Sequence, residues 1–391
     1  MSTTYESARP RVPYELTPTN IPGAYLSPAI PDGFDPDAAS PAALIKHGLL
    51  WRRPAADAHP AHRAIWEHAF SRQWRPEDRV IPRLEPQPGR THNLRHEARQ
   101  AADGSYTSGQ WAGSVVAGTW TSAMGMWTIP SVSASIDPQG TEGGWNSSSW
   151  VGLDGTYGSD DVLQAGIEQR VTASGVAEYV AWYEWWAPPI PGSPPYVYQV
   201  NIPNFPVSPG QTVFCAVGYV SNHTAGNIYF ANFTTGQYFG ITLAPPSNAT
   251  FSGNTAEWIM EAPDGGIPTA SLPTFTPVVF TDAVCCGPND TAGNPADGDI
   301  WNIVGYGKTI TSVTDGPYTA TIDYALTTVV PHVVEMDVNH ATQAVQAANL
   351  EPRFTGAFTP RSWVTSQSPA PDTTVYQGST VEMHLSDLPR P

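Results

Sequence analysis

Long apolar runs, cysteine and, over most of its length, positive charge are what this chain of 391 residues has little of. No stretch of roughly 20 apolar residues occurs, which excludes a membrane-spanning helix. The three cysteines, Cys215 and the adjacent pair Cys285 and Cys286, allow at most one bridge and exclude a disulfide scaffold. With no Cys-x-x-Cys and no His/Cys cluster at zinc spacing, no metal and no other cofactor is indicated. The first ten residues, Met1 to Pro10, lack the apolar segment of roughly 7 to 15 residues that a secretory signal carries. Familiar catalytic signatures are missing too: there is no Asp-Thr/Ser-Gly of two-aspartate peptidases, no Gly-x-Ser-x-Gly and no His-Glu-x-x-His. Gly305-Tyr306-Gly307-Lys308-Thr309 ends like a phosphate loop, but Asn302 stands where its first glycine belongs.

Residues 110–331 carry only Arg170 and Lys308 against 17 acidic residues, a net charge of −15, whereas residues 1–109 hold 13 Lys and Arg and 12 Asp and Glu. A formal charge of −17 for the whole chain excludes nucleic acid and anionic membrane surfaces as partners. The self-repulsion of such an acidic body fades as carboxylates take up protons, so it is suited to acid. What the chain has in quantity is Pro (40), Gly (34), Tyr (16) and Trp (14), the composition of short aromatic strands between turns.

From Gln110 onward, strand-like segments bounded by Gly, Pro, Ser or Asp follow one another: Trp111 to Val116, Ala123 to Ile129, Ser149 to Leu153, Val162 to Val171, Ala177 to Trp186, Val213 to Val220, Asn227 to Asn232, Tyr238 to Leu243, Ala256 to Glu261, Val278 to Thr281 and Thr319 to Tyr324. About a dozen strands with short turns predict a large antiparallel sandwich. The strand period puts Glu257, Ile259 and Glu261 on one face of their segment, with Trp258 and Met260 on the other. In the same way Trp182, Glu184 and Trp186 share a face opposite Ala181, Tyr183 and Trp185. One such aromatic face packs into the core while the other can line a groove that grips an extended polymer. Gln164, in Val162-Leu163-Gln164-Ala165-Gly166, is the expected partner of Glu261.

Residues 1 to about 59 are rich in Pro, Ala and Asp and are expected to be extended or loosely packed. Apolar residues at helical spacing between Pro60 and Trp74 predict a helix, with Pro76 ending the pattern. A basic tract of Arg72, Arg75, Arg79, Arg83, Arg90, Arg95 and Arg99 follows, and six of the ten His precede residue 100. A segment of opposite charge ahead of an acidic body reads as its cover, a Pro/Arg-rich pro-segment over 1–109.

Five motifs, in order, resemble the glutamic peptidases, or eqolisins, from about Gln110 to about Thr327. They are Gln110-Trp111-Ala112-Gly113, Trp150-Val151-Gly152-Leu153-Asp154-Gly155, Val162-Leu163-Gln164-Ala165-Gly166, Ala181-Trp182-Tyr183-Glu184-Trp185 and Ala256-Glu257-Trp258-Ile259-Met260-Glu261. The resemblance implies a lectin-like β-sandwich of two antiparallel sheets and a catalytic glutamine and glutamate, here Gln164 and Glu261. It makes Trp111, Trp150 and Glu184 substrate-binding, to which the shared strand faces add Trp182 and Glu257. The scarcity of the cysteines of fungal members implies a bacterial-type relative, and the family implies a secreted, monomeric protein acting on polypeptides without metal, although no signal peptide is visible.

The chemistry requires a base that makes water nucleophilic and a donor for the oxyanion of the tetrahedral intermediate. An ionised Glu supplies the first and an uncharged amide N–H the second at any pH; a carboxylate base of the ordinary Glu type, near pH 4.3, works in acid. Residues 332–391 read as a small α+β domain, with Asn339 capping a helix through Leu350 and strands at Arg353 to Phe358 and Val381 to Leu385. Val364 to Pro371 and Gly378 to Val381 resemble a PASTA domain, which implies cell-wall peptidoglycan as a partner. Two other readings stand beside the peptidase. One is a glycan-cleaving sandwich using Glu184 with Glu261, since Glu257 and Glu261 on one strand lie about 13 Å apart, too far for a glycosidase pair. The other is a non-catalytic wall-binding protein.

Overall fold

The computed structural model describes residues 10–49, 53–55, 58–71, 74–90, 92, 98–141, 143–188, 198–220, 224–246 and 248–388. Contacts divide the chain into two compact units, Met1–Asp323 and Tyr324–Pro391. Arg72 and Arg95 of the basic tract, and residues 1–9, lie outside the described residues.

The first unit is built on two facing, mostly antiparallel sheets, of eleven and ten strands among the described residues. The eleven-stranded sheet contains β1 (Glu85–Pro86), β2 (Arg99–Gln100), β3 (Tyr106–Ser108), β4 (Trp111–Ala117), β5 (Trp145–Asp154), β6 (Val162–Val171), β7 (Ala177–Trp186), β8 (Val200–Ile202), β9 (Thr255–Glu261) and β10 (Asp299–Gly305). Their order across the sheet is β1-β8-β7-β6-β5-β9-β4-β10-β3-β2, with Lys308–Thr309 beside β10. The second sheet is centred on Ser122–Thr128, Thr212–Tyr219, Gly226–Asn232, Tyr238–Leu243 and Val278–Cys286. Alternation decides which side chains go between the sheets: Trp258 donates its indole N–H to the Met124 carbonyl at 2.8 Å, and Trp127 to Ser149 Oγ at 3.0 Å. Trp127 packs against Phe280 at 5.2 Å, and Trp258, Phe230 and Phe280 are fully buried, each of which on truncation to Ala would cost about 3–5 kcal/mol.

The strands expected from the sequence are present, several longer than read; Asp299–Gly305 and Thr311–Gly316, which strand period alone did not single out, complete the sheets. Three expectations are corrected. The described residues between 10 and 59 are not loosely packed. Thr17–Pro18 and Ala24–Leu26 extend the second sheet, and α1 (Pro41–Lys46) starts at Ser40, whose hydroxyl accepts from the Ala43 N–H. Leu44, Leu49, Ile65, Trp66 and Trp74 are buried in one cluster with Met124, Met126, Phe214 and Tyr229 of the second sheet. Burial of these scattered apolar residues outweighs the disorder that Pro and Asp suggest. Helix α2 (Pro60–Ala69) stops short of Trp74, because the Phe70 N–H already bonds back to the last turn and the chain leaves helical geometry there.

In the second unit, α3 (Val338–Ala347) is capped by Asp337, not Asn339: the Asp337 carboxylate accepts from the Asn339 and His340 N–H groups. A side chain one residue before the first helical turn reaches those amides, whereas Asn339 is inside the turn. Glu351–Gly356, Thr380–Ser386 and Trp363–Ser368 form a three-stranded sheet, and Val333, Ala341, Val345, Val364, Val381 and Met383 make the core.

The first unit also buries carboxyls that it does not pair with cations. Burial pushes Glu257 well above the ordinary carboxylate range, with the nearby Asp154 adding to it, and raises Asp154 despite its bonds from Tyr219, Gly253 and Asn254. Burial likewise raises Asp315 to about 7, against a smaller lowering by Ser114. The folded chain therefore holds protons that the unfolded chain releases above about pH 4, and stability falls as pH rises toward 7. Thermal unfolding followed by circular dichroism is expected to give a higher Tm at pH 4.5 than at pH 7; the reverse order would contradict the burial of these acids in neutral form.

Candidate active site

The face of the eleven-stranded sheet turned away from the core carries the chemistry. Register aligns Gln164 of β6 with Glu184 of β7 on one side and Gly152 of β5 on the other, while Glu261 of β9 lies opposite Ser148 and Trp111. Between them Trp150 lies over a floor kept flat by glycine. A Cβ on Gly152 would meet the Trp150 ring at 2.6 Å, and one on Gly166 would meet Trp150 Cβ at 2.6 Å and the Ser149 carbonyl oxygen at 2.2 Å. The indole, so placed, donates to Glu261 Oε2 at 2.7 Å, and its ring packs edge-on against Trp111 at 5.0 Å. Trp182 is held by its N–H to Ser148 Oγ at 2.7 Å.

Gln164, Glu184 and Glu261 are all fully buried and converge on His92, which no motif or spacing had singled out. Its Nδ1 is 2.6 Å from Glu261 Oε2, its backbone N–H donates to Glu184 Oε2 at 3.0 Å, and Gln164 Nε2 donates to that same Glu184 oxygen at 3.2 Å. Glu261 Oε1 and Gln164 Oε1 are buried without a hydrogen-bond partner among the described residues. Glu261 therefore has one oxygen fixed by Trp150 and His92 and one left to take a proton. Gln164 has one amide hydrogen committed to Glu184 and one left to donate.

Of the residues expected from the sequence, Gln164, Glu184, Glu261, Trp150, Trp182 and Trp111 are brought into this network. Glu257 is not: it lies across Gly152 from Gln164, one strand repeat beyond Ile259 from Glu261, and among the described residues neither of its oxygens has a hydrogen-bond partner. His92, Gln199, Glu168, Arg90 and Asp264 were missed. The clustering of His and Arg before residue 100 was the one signal that pointed toward two of them. Among the described residues no group of three or more His, Cys, Asp or Glu is placed to hold a metal ion, and no helix is long and apolar enough to cross a membrane.

Glu184 accepts from Gln164, so it fixes which end of the amide faces the site. Glu184→Gln is expected to lower kcat by about 10- to 100-fold, the worth of a hydrogen bond to a charged group, while leaving KM nearly unchanged. Steady-state kinetics on a reporter peptide check it; an unchanged kcat would show that the amide is held without Glu184.

The sequence matches the Peptidase A4 family over residues 109–324 and the PASTA domain over residues 328–387. It is 29% identical to Aspergillopepsin-2 of Aspergillus niger over 231 residues, 56% of this chain and 78% of that protein. It is 27% identical to Scytalidopepsin B of Scytalidium lignicola over 152 residues, 39% of this chain and half the length of that protein. Among solved structures, scytalido-glutamic peptidase with a transition-state-analogue inhibitor is similar at a TM-score of 0.45 and 21% identity, covering 55% of this chain and 98% of that one. Aspergilloglutamic peptidase from Aspergillus niger is similar at 0.40 and 27%, covering 46% and 99%. With a family match over more than half of its length, on the very strands that carry Gln164, Glu184 and Glu261, this chain belongs to the Peptidase A4 family and is a glutamic endopeptidase.

Proposed function

We propose that the protein hydrolyses peptide bonds in acid with Glu261 as base and acid and Gln164 as oxyanion donor. The observation that carries this reading is that Glu261 Oε1 and one Gln164 N–H are left open on one buried face while Glu261 Oε2 is fixed by Trp150 and the other Gln164 N–H by Glu184. Glu261 takes a proton from water as the water oxygen bonds to the scissile carbonyl carbon. The oxyanion accepts the Gln164 N–H. The protonated Glu261 then gives its proton to the amine nitrogen as the C–N bond breaks, leaving a carboxyl and an amine terminus. The donor is neutral, so it serves at any pH, and the buried site strengthens its bond to the developing charge. Trp111, Trp150 and Trp182 supply apolar walls to an extended substrate.

Residues 1–109 act in this reading as a pro-segment, but its helices are packed on the second sheet, so the part that acid must free is the part in the active site. Residues 332–391 act as a wall-associated module that retains the enzyme at peptidoglycan outside the cell. Purified protein incubated with denatured protein and, separately, with polysaccharides from about pH 2 to pH 7 is expected to cleave only the protein, and only toward the acid end. Cleavage of glycans but not of protein would replace this reading by that of a glycosidase.

A further inference from the structure

We infer that Glu261, Glu184, Gln199 and Trp182 form a binding slot for an imidazole side chain, filled in the full chain by His92, so that Gln87 to His92 is a built-in inhibitor of the site. The inference rests on Glu261 being the catalytic base. The His92 ring lies flat on Trp182, with centroids 3.8 Å apart and planes 7° from parallel. Its Nδ1 meets Glu261 Oε2 at 2.6 Å and its Nε2 meets Gln199 Oε1 at 3.1 Å. Gln199 has no freedom to turn its amide round, because Nε2 donates to Glu168 and, at 2.7 Å, to Asn201 Oδ1. Both ring nitrogens thus face oxygen acceptors, and only the imidazolium has an N–H for each. A benzyl group would stack on Trp182 but leave Glu261 Oε2 with the Trp150 N–H alone and Gln199 Oε1 without the ring's N–H; an ammonium would pair with Glu261 but not stack.

The backbone holds the ring in place. Glu85–Pro86 pairs with Val200–Ile202, the Gln87 N–H donates to the Gln199 carbonyl at 2.9 Å, and the Gln199 N–H donates to the Arg90 carbonyl at 3.2 Å. Arg90 adds an ion pair to Glu168 at 2.9 Å and another to Asp264 at 3.4 Å. With Glu261 Oε2 occupied and the backbone of His92 on Glu184, a substrate peptide cannot reach the dyad.

The pH window follows from the groups that face the ring: Glu261 on β9, Glu184 on β7, Asp264 just after β9, and, through Arg90 on its own segment, Glu168 on β6. Burial by itself lowers the His92 pKa, but Glu261, by its charge and its hydrogen bond, with Glu184 and Asp264, raises it to about 9. Because the docked value lies above the free one, the contribution of His92 to docking is complete below about pH 6.5 and is lost as pH rises through about 9. In acid the limit comes from the partners: once the carboxylates take protons, imidazolium and guanidinium lose their acceptors and the segment leaves.

Two measurements on the full chain test this. Ring resonances of isotope-labelled histidine in wild type are expected to show one residue titrating near pH 9, returning to the ordinary histidine range in Glu261→Gln; a His92 that titrates like an exposed histidine would overturn the slot, whatever the activity. Reporter-peptide cleavage against pH is expected to begin at least one pH unit higher in His92→Ala and His92→Gln than in wild type. On His92→Ala, acetyl-Arg-Thr-His-amide should inhibit at least tenfold better than its Phe counterpart at pH 5.5, the difference vanishing near pH 3. An unchanged onset, or equal inhibition by the two peptides at pH 5.5, would also overturn it. Absence of cleavage in every variant, with His92 still titrating near 9, would count against the peptidase mechanism and in favour of the slot.

Discussion

Glu261→Gln is expected to bring peptide cleavage to the limit of detection, a loss on the order of 10⁴-fold in kcat, the upper range for general acid–base catalysis. The substitution keeps the shape of the side chain and its acceptor for the Trp150 indole N–H, so the strand and the aromatic floor should survive. What it removes, in the proposed mechanism, is the carboxylate that takes a proton from water and returns it to the leaving amine. Glu257→Gln is the control. Burial already holds Glu257 well above the ordinary carboxylate range, so in acid that residue is a neutral acid and the amide is close to an isostere. Cleavage of a reporter peptide near pH 3.5, with far-ultraviolet circular dichroism to show that each variant is folded, compares the two. If Glu257→Gln were as damaging as Glu261→Gln in a folded protein, the assignment of the base would be wrong.

Gln164→Ala is expected to lower kcat by about 10²- to 10³-fold with little change in KM, the cost of one missing oxyanion donor. The split between the two constants matters, because a donor used only in the transition state leaves ground-state binding intact. Truncation also takes away the Nε2 bond to Glu184, leaving that buried carboxylate with one donor fewer, so a lower Tm should accompany the loss. Gln164→Glu separates the two effects. It retains the side-chain volume but sets a second carboxylate against Glu184 and against the developing oxyanion, and it should be at least as inactive as the Ala variant. A Gln164→Ala enzyme within about tenfold of wild-type kcat would mean that another group stabilises the oxyanion.

The glycan alternative drawn from Glu184 with Glu261 loses ground on the arrangement of the two residues. Glu184 spends one oxygen on the Gln164 amide and the His92 backbone, which suits a holder of Gln164 in the proposed mechanism better than a second carboxylate across a sugar ring. The same arrangement gives the acidic body a purpose beyond solubility. Glu168, Asp264, Glu184 and Glu261 are the acids that hold Arg90 and His92, so part of the contrast in charge between residues 1–109 and 110–331 is used at this site.

What the sequence by itself determined is whatever depends on neighbours along one strand. Alternation in Thr255–Glu261 and Ala177–Trp186 put Glu261, Trp182 and Glu184 on the faces they occupy, because a period of two is a local property of extended backbone. Motif order placed Gln164 and Glu261 on separate strands of one sandwich, and the same logic found the C-terminal unit. Tertiary structure alone decided the rest. Which residues stand side by side across the sheet, Gln164 with Glu184 and Gly152, depends on register between strands, and that is fixed by core packing rather than by either segment. The apolar residues of the first 74 positions look too sparse to fold until the outer face of the second sheet is there to receive them. His92 meets Glu261 across 169 residues of sequence, through a backbone held on Val200–Ile202 and an arginine held by Glu168 and Asp264. No pattern along the chain encodes such a contact, because its geometry exists only once five separate segments have been brought to one face.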